Sequence, residues 1–349
     1  IPVAFFLHRA DQIPERTLHL EPADFSLMNP NTRTCPVFRA PQDHALTRRI
    51  YARMPVLRRH LPAQDPWGIS YKTLFHMTND SGLFRTAAQL EALGAWREAG
   101  PLPTWGSAKG RYLPLLEGKM VQAFDPRAAG ITVNLANVHR PAQPEASTQA
   151  QLADPFYFPT PQFWVLESDV RERFAEGAPE WAIAFKDITS PTNVRTMIAA
   201  AIPFTGAGNK LPFLLTNADS NAALCLLANL NGLVLDYVVR QKMGGQTLNL
   251  YIVEQLPTLP PAFYGETFHG QSWESLIAPR ALELSYTCEA LRPMAQACGY
   301  EGEPYPWNPA RRRTLRAQLD ALFFLAYGFD APEDEPALDH ILGTFPIQN

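Results

Sequence analysis

The sequence predicts a mixed α/β fold, with mixed sheets and a helical C-terminal segment. Three observations carry that expectation. From Asp219 to Pro261 a helical pattern, a glycine pair, an alternating strand pattern and a proline run follow one another. Thirty-three prolines among 349 residues, against an average usage of about 5%, cut the chain into short elements joined by stiff loops. A further helical pattern, opened by Asn308-Pro309, lies near the C-terminus.

Taken along the chain, the first marked segment is basic. Between Arg33 and His60, Arg33, Arg39, Arg48, Arg49, Arg53, Arg58 and Arg59 stand against one acid, Asp43. On a solvent-facing helix such a patch neutralises phosphates and gives salt-dependent affinity. It is equally the pattern of a solvated face paired with acids elsewhere. The stretch Pro141 to Pro161 combines prolines with small polar residues, which predicts a long surface loop ending in an aromatic cluster.

The Asp219–Pro261 run comes next. Asp219 or Ser220 caps a helix whose Leu224, Leu227, Leu230, Val234 and Val238 recur at three- and four-residue spacing on one buried face. Gly244 and Gly245 stop it, glycine taking the left-handed conformation cheaply, and Arg240 and Lys242 sit where the helix dipole favours cations. Leu248, Leu250 and Ile252 then alternate as a half-buried strand does, and Pro257, Pro260 and Pro261 end it. Another helix is expected from Pro279 to Cys298. In the last one, Asn308 caps, Pro309 fills the first turn, Leu315, Leu319, Leu322, Phe323 and Ala326 form one apolar face, and Gly328 terminates.

Composition bounds the class. With 46% hydrophobic residues and no apolar run near the ~20 needed to span a bilayer, a soluble globular protein with no membrane partner is expected. Cys35, Cys225, Cys288 and Cys298 show no CxxC spacing, which fits reduced thiols in a cytoplasm. The chain starts at Ile1 without a signal-peptide pattern, so a fragment or processed piece is expected. A net charge of −4 does not by itself announce a nucleic-acid binder.

Several blocks carry a resemblance. They are Ala228-Asn229-Leu230-Asn231-Gly232, Asp236-Tyr237, Arg240-Gln241-Lys242, Gly244-Gly245, Leu248-Asn249 and Glu254-Gln255-Leu256-Pro257. Earlier in the chain come Asn29 to Arg39, Met77 to Phe84 and Arg111 to Met120, and later Leu319 to Gly328. Together, and in this order, they resemble the C-terminal target-recognition region, TaqI-like in its specificity domain, of type IIG-like and phage-defence (BREX- or DISARM-type) adenine-N6 DNA methyltransferases. Gly232 departs from the serine expected there. The resemblance implies DNA target recognition by residues 1–265 and a helical segment over 266–349. It places S-adenosylmethionine and methyl transfer in a separate N-terminal domain, with no cofactor in this chain. Duplex DNA, that domain and other restriction or defence-system subunits are the implied partners.

The search for chemistry within the chain returns mostly negatives. Asn29-Pro30-Asn31 lacks the second proline and the aromatic that would hold a flipped adenine. Phe204-Thr205-Gly206-Ala207-Gly208 looks like a cofactor loop, yet Pro212 interrupts the helix that should follow, so a tight structural turn is expected. Glu117-Gly118-Lys119 spells half of a magnesium-dependent nuclease site, with Asp80 or Asp125 as a further carboxylate, and keeps a nuclease open as the enzyme alternative. The eight histidines show no metal spacing and no GxSxG elbow exists. A specificity subunit of a multi-subunit restriction system is the other alternative, although only one recognition unit is visible here rather than two repeats.

What remains is binding. Arg33, Arg39, Arg48 and Arg49 form one group of candidate DNA contacts, and Lys109, Arg111 and Lys119, around Trp105 and Tyr112, a second. Arg240 and Lys242 form a third. Asn79, within Thr78-Asn79-Asp80-Ser81, is the candidate base reader, in a stretch that also suits a turn or helix cap.

Overall fold

Apolar residues on both faces of a short strand require cover on both sides, and Trp181–Phe185 is such a strand. In the computed structural model, which describes residues 1–134, 136–137, 139, 141–174 and 177–345, it pairs antiparallel with Ala199–Pro203 on one side and Phe213–Leu215 on the other. Ser70–Lys72 extends this four-stranded sheet beyond Phe213–Leu215. A second sheet is built on Tyr112–Leu116, buried throughout. It takes Trp164–Leu166 and Trp105–Gly106 antiparallel and Gly206–Ala207 parallel, and Trp96–Arg97 closes one edge. With 39% helix and 17% strand the fold is mixed α/β.

The helices cover the first sheet. Asp219 caps Ser220–Leu230 by accepting from the Ala222 amide at 2.9 Å, and every residue from Ala222 to Leu230 is buried. Trp273–Ser285 packs along it, and Pro309–Ala326 packs on both Trp273–Ser285 and Leu233–Lys242. One continuous cluster of buried apolar side chains reaches from Leu18 to Phe345, so the helical segment after residue 265 shares its core with the sheets. Arg127 adds a polar tie. Fully buried, it donates to the carbonyls of Leu152 and Asp154 at 3.0 Å, Tyr157 at 3.2 Å and Thr287 at 2.9 Å.

Several expectations change here. The helix opened at Asp219 is two helices, Ser220–Leu230 and Leu233–Lys242, bent by 58°. Asn231 stands at the break: its amide side chain accepts from the Ala199 N–H and donates to the Ala199 carbonyl and to the Leu227 carbonyl of the first helix, each at 3.0 Å, tying the helix end to the strand. A Cβ on Gly232 would lie 3.2 Å from the Asn229 carbonyl and 3.3 Å from the Phe323 ring, so a larger residue than glycine strains this corner. The second helix ends through an extended Met243, and neither Gly244 nor Gly245 has a positive φ. Leu248–Ile252 is not a strand. Asn249 caps a single helical turn, Leu250–Val253, which buries Ile252 and Val253 and leaves Tyr251 outside.

The proline-rich stretch carries more order than a loop. Ala142–Ala146 pairs with Ala129–Val133 as a hairpin, and Thr148 caps the short helix Gln149–Ala153 through the Gln151 amide. Gly206-Ala207 is a strand, not a turn, and its glycine has a packing cause: a Cβ on Gly206 would meet Val165 at 2.6 Å. The helix expected from Pro279 runs instead over Trp273–Ser285 with Pro279 inside it, and Arg292–Ala297 is separate. The last long helix opens as expected, with Asn308 accepting from the Arg311 amide at 3.0 Å. Gly328 at φ +79° lies just past its end.

Candidate functional site

Three strands end on one cleft of about 290 Å³. Tyr112–Leu116 delivers Glu117, Gly118 and Lys119; Gly206–Ala207 delivers Gly208 and Lys210; Trp181–Phe185 delivers Lys186, with Ile188 two residues on. The fourth wall is Met77. It is held there because Phe75 pairs with Gly208 and the Met77 amide donates to the Asn209 side chain at 3.3 Å. Close backbone approach shapes the floor, since a Cβ on Gly118 would stand 2.6 Å from the Lys210 carbonyl.

The charges in this cleft are unequally answered. Lys119 meets Glu117 at 3.1 Å and donates to the Ala142 carbonyl at 3.2 Å. Lys210 meets Asp187 at 2.8 Å. Lys186 has no partner for its ammonium among the described residues, and burial pulls its pKa down. Desolvation of a cation without a counter-charge is unfavourable, so this position is electrostatically prepared for an anion. The Oε1 atom of Glu117 is also buried without a hydrogen-bond partner among the described residues.

The loop beside Met77 is ordered by its own acid. Asp80 accepts from the His76 amide at 2.7 Å and pairs with Arg173 at 2.9 Å, and these contacts, the His76 N–H foremost, hold its carboxyl below the usual range. Asn79, next in the chain, is exposed, and its side chain has no partner among the described residues.

A second pocket, of about 210 Å³, gathers blocks far apart in sequence. Asn29, Thr34 to Phe38, Gln241, Lys242 and Gln255 are among its lining residues. Lys242 donates to the Met28 carbonyl and the Asn29 side chain and lies over the Tyr51 ring. Burial pushes its pKa down to about 7. Gln255 clamps the same loop, its side-chain oxygen accepting from the Asn31 amide at 2.9 Å and the Thr32 amide at 3.2 Å. A wider cleft of about 700 Å³ has Lys72 as the sole lysine or arginine among its described lining residues.

The candidate contacts therefore separate by what each side chain already holds. Lys119 lines the lysine cleft and Asn79 lies two residues beyond its Met77 wall. Lys109 is exposed at the turn between Trp105–Gly106 and Tyr112–Leu116, its ammonium free of described partners. Arg111, beside it, pairs with Glu98 at 2.8 Å and Glu167 at 3.4 Å. In the basic helix Pro41–Arg53, Arg48 pairs with Glu21 at 3.0 Å, and Arg49 is bound to Asp334 and the Gly328 carbonyl. Arg33 bonds Ser26 and the Pro30 carbonyl, and Arg39 lies over Phe6, both still exposed. Much of this face is thus paired internally.

Arg240 and Lys242 need correction as DNA contacts. Arg240 is buried, bonded to the carbonyls of Pro191 at 2.8 Å, Asn193 at 2.6 Å and Val194 at 3.1 Å and paired with Asp236 at 3.4 Å. A cation so enclosed is turned away from solvent, and most of its donors are already spent within the protein. The carboxylates of the nuclease alternative are likewise engaged apart from one another: Asp80 with Arg173, Glu117 with Lys119, and Asp125 buried against the Arg127 amide. Among the described residues no three His, Cys, Asp or Glu side chains are placed to hold a metal ion.

No protein-family model matches the chain, and a search of curated proteins finds no match. Sequence reasoning missed Lys186 and Lys210. The signal available was local: Lys186 is the first charge after the apolar run Trp181–Phe185, where a strand emerges from the core.

Proposed function

We propose that this chain recognises duplex DNA by sequence, as the target-recognition part of an S-adenosylmethionine-dependent adenine-N6 DNA methyltransferase of the restriction-modification type. Methyl transfer and its cofactor belong, in this reading, to a separate N-terminal domain. The observation that carries it is the lysine cleft. Three lysines line it at strand ends, one of them without an ion pair among the described residues, beside a loop whose exposed Asn79 side chain is available to read a base edge. Lys109, exposed at the opposite end of Tyr112–Leu116 with its ammonium free of described partners, adds a second phosphate contact away from the cleft. Support also comes from position: blocks that resemble the recognition region, separate in sequence, meet at the two pockets.

The test is retention of a random duplex pool on the purified chain at several salt concentrations, followed by sequencing of the retained fraction. Enrichment of one short motif, with affinity falling steeply as salt rises, is expected. Salt-insensitive or motif-free retention overturns the reading.

A further inference from the structure

We infer that the lysine cleft is a socket for a single backbone phosphate of a nucleic-acid strand, seated on Lys186, with the adjoining sugar against Met77 and Ile188. This rests on the DNA reading above and names the group in the cleft.

Lys119 and Lys210 line the cleft already neutralised by Glu117 and Asp187, whereas Lys186 brings a charge that no ion pair balances among the described residues. Its backbone is fixed on both strands of the sheet's end, the Lys186 amide donating to the Ile198 carbonyl at 2.9 Å and the Asp187 amide to the Lys210 carbonyl at 3.2 Å. The ammonium is therefore presented from a rigid edge. A half-buried cation without an ion pair of its own repels other cations and gains most from a compact anion that replaces its lost hydration. At about 290 Å³ the cleft is wider than a bare phosphate needs, and the surplus is apolar. Ile188 is 46% exposed and Met77 is half-buried, which suits the carbon face of a deoxyribose. Glycine at 118 and 208 keeps the floor open, since a Cβ at Gly208 would lie 2.8 Å from the Met77 sulfur.

Two arms test this. In the first, the enriched duplex is re-synthesised with a neutral methylphosphonate at one linkage at a time and measured against the natural chain and Lys186→Met. One linkage should weaken binding to the natural chain and have no further effect on the variant, whose salt slope falls by about 1. If every linkage has the same effect on both proteins, the socket is wrong while the DNA reading stands.

The second arm needs no duplex binding. Lysines are acylated with and without inorganic phosphate and read by mass spectrometry. Phosphate should slow acylation of Lys186 several-fold relative to Lys109. Equal rates with and without phosphate overturn the socket. Protection of Lys186 in a chain that retains no duplex keeps an anion socket and removes the DNA reading. Matching thermal melts of Lys186→Met and the natural chain confirm that the variant is folded.

Discussion

Lys242 and Lys186 are both lysines drawn out of water, both with lowered pKa, and they have opposite surroundings. Around Lys242 the protein supplies a backbone carbonyl, an asparagine oxygen and the face of Tyr51. Around Lys186 it supplies nothing among the described residues. The first lysine fastens the loop after Met28 to the helix Leu233–Lys242, and the second fastens nothing among the described residues. A basic residue is thus informative about ligands through what its own protein fails to offer it, more than through its charge.

The largest expected effect lies on the enclosed side. Asp236 accepts from the Thr196 amide at 2.9 Å and the Met197 amide at 2.6 Å and faces Arg240. Asp236→Ala leaves a buried guanidinium uncompensated and should lower unfolding free energy by about 3–5 kcal/mol in a urea titration. A loss near that of a surface substitution would break the contrast between enclosed and open cations.

Next comes Lys242→Met, expected to cost about 1–3 kcal/mol because the Met28 and Asn29 oxygens lose their donor. Its pH dependence sharpens the comparison. The unfolded lysine titrates near 10.5 and the folded one at about 7, so between these values the unfolded state holds more protons. The contribution of this site to stability should therefore rise with pH from 7 upward, by no more than about 1.4 kcal/mol per pH unit, and be flat in Lys242→Met. A fall with pH in the natural chain relative to the variant would refute the lowered pKa.

Lys186→Met should be the reverse case, within about 0.5 kcal/mol of the natural stability or above it, because it removes a desolvated charge with no partner. Weakened DNA retention alongside unchanged stability is the expected pair of results. Smallest of all, Lys109→Ala should leave stability unchanged within about 0.5 kcal/mol and lower only the salt slope of DNA retention, by about 1. A loss of motif preference in that variant would move base reading to the turn between Trp105–Gly106 and Tyr112–Leu116.

Local signals were legible where the chain answers only to itself. Asp219 and Asn308 cap the helices their sequence positions announced, and Gly328 is left-handed just past the last long one. They failed where a distant partner decides. Asn231 reads as a helical residue and stands instead at a helix end, where its side chain bonds both Leu227 and the distant Ala199. Leu248, Leu250 and Ile252 alternate, yet the chain forms a turn of helix in which the Asn249 carbonyl accepts from the Ile252 amide at 2.9 Å and Val253 is buried. For the site, Lys119 and Asn79 were readable by type, whereas the worth of Lys186 depends on which carboxylates reach its neighbours. The arginines of Pro41–Arg53 show the same limit, because their acids Glu21, Asp24 and Asp334 come from other elements.

Arg127 reaches across the boundary at residue 265, its guanidinium divided between Leu152, Asp154 and Tyr157 on one side and Thr287 on the other. For protein engineering this makes the chain a poor donor of interchangeable parts. A chimaera that joins residues 1–265 to a foreign helical segment would have to bring its own carbonyl to the place of Thr287 and its own side chains to the shared apolar cluster. Grafts from this protein should be cut outside both segments and carry them as one piece.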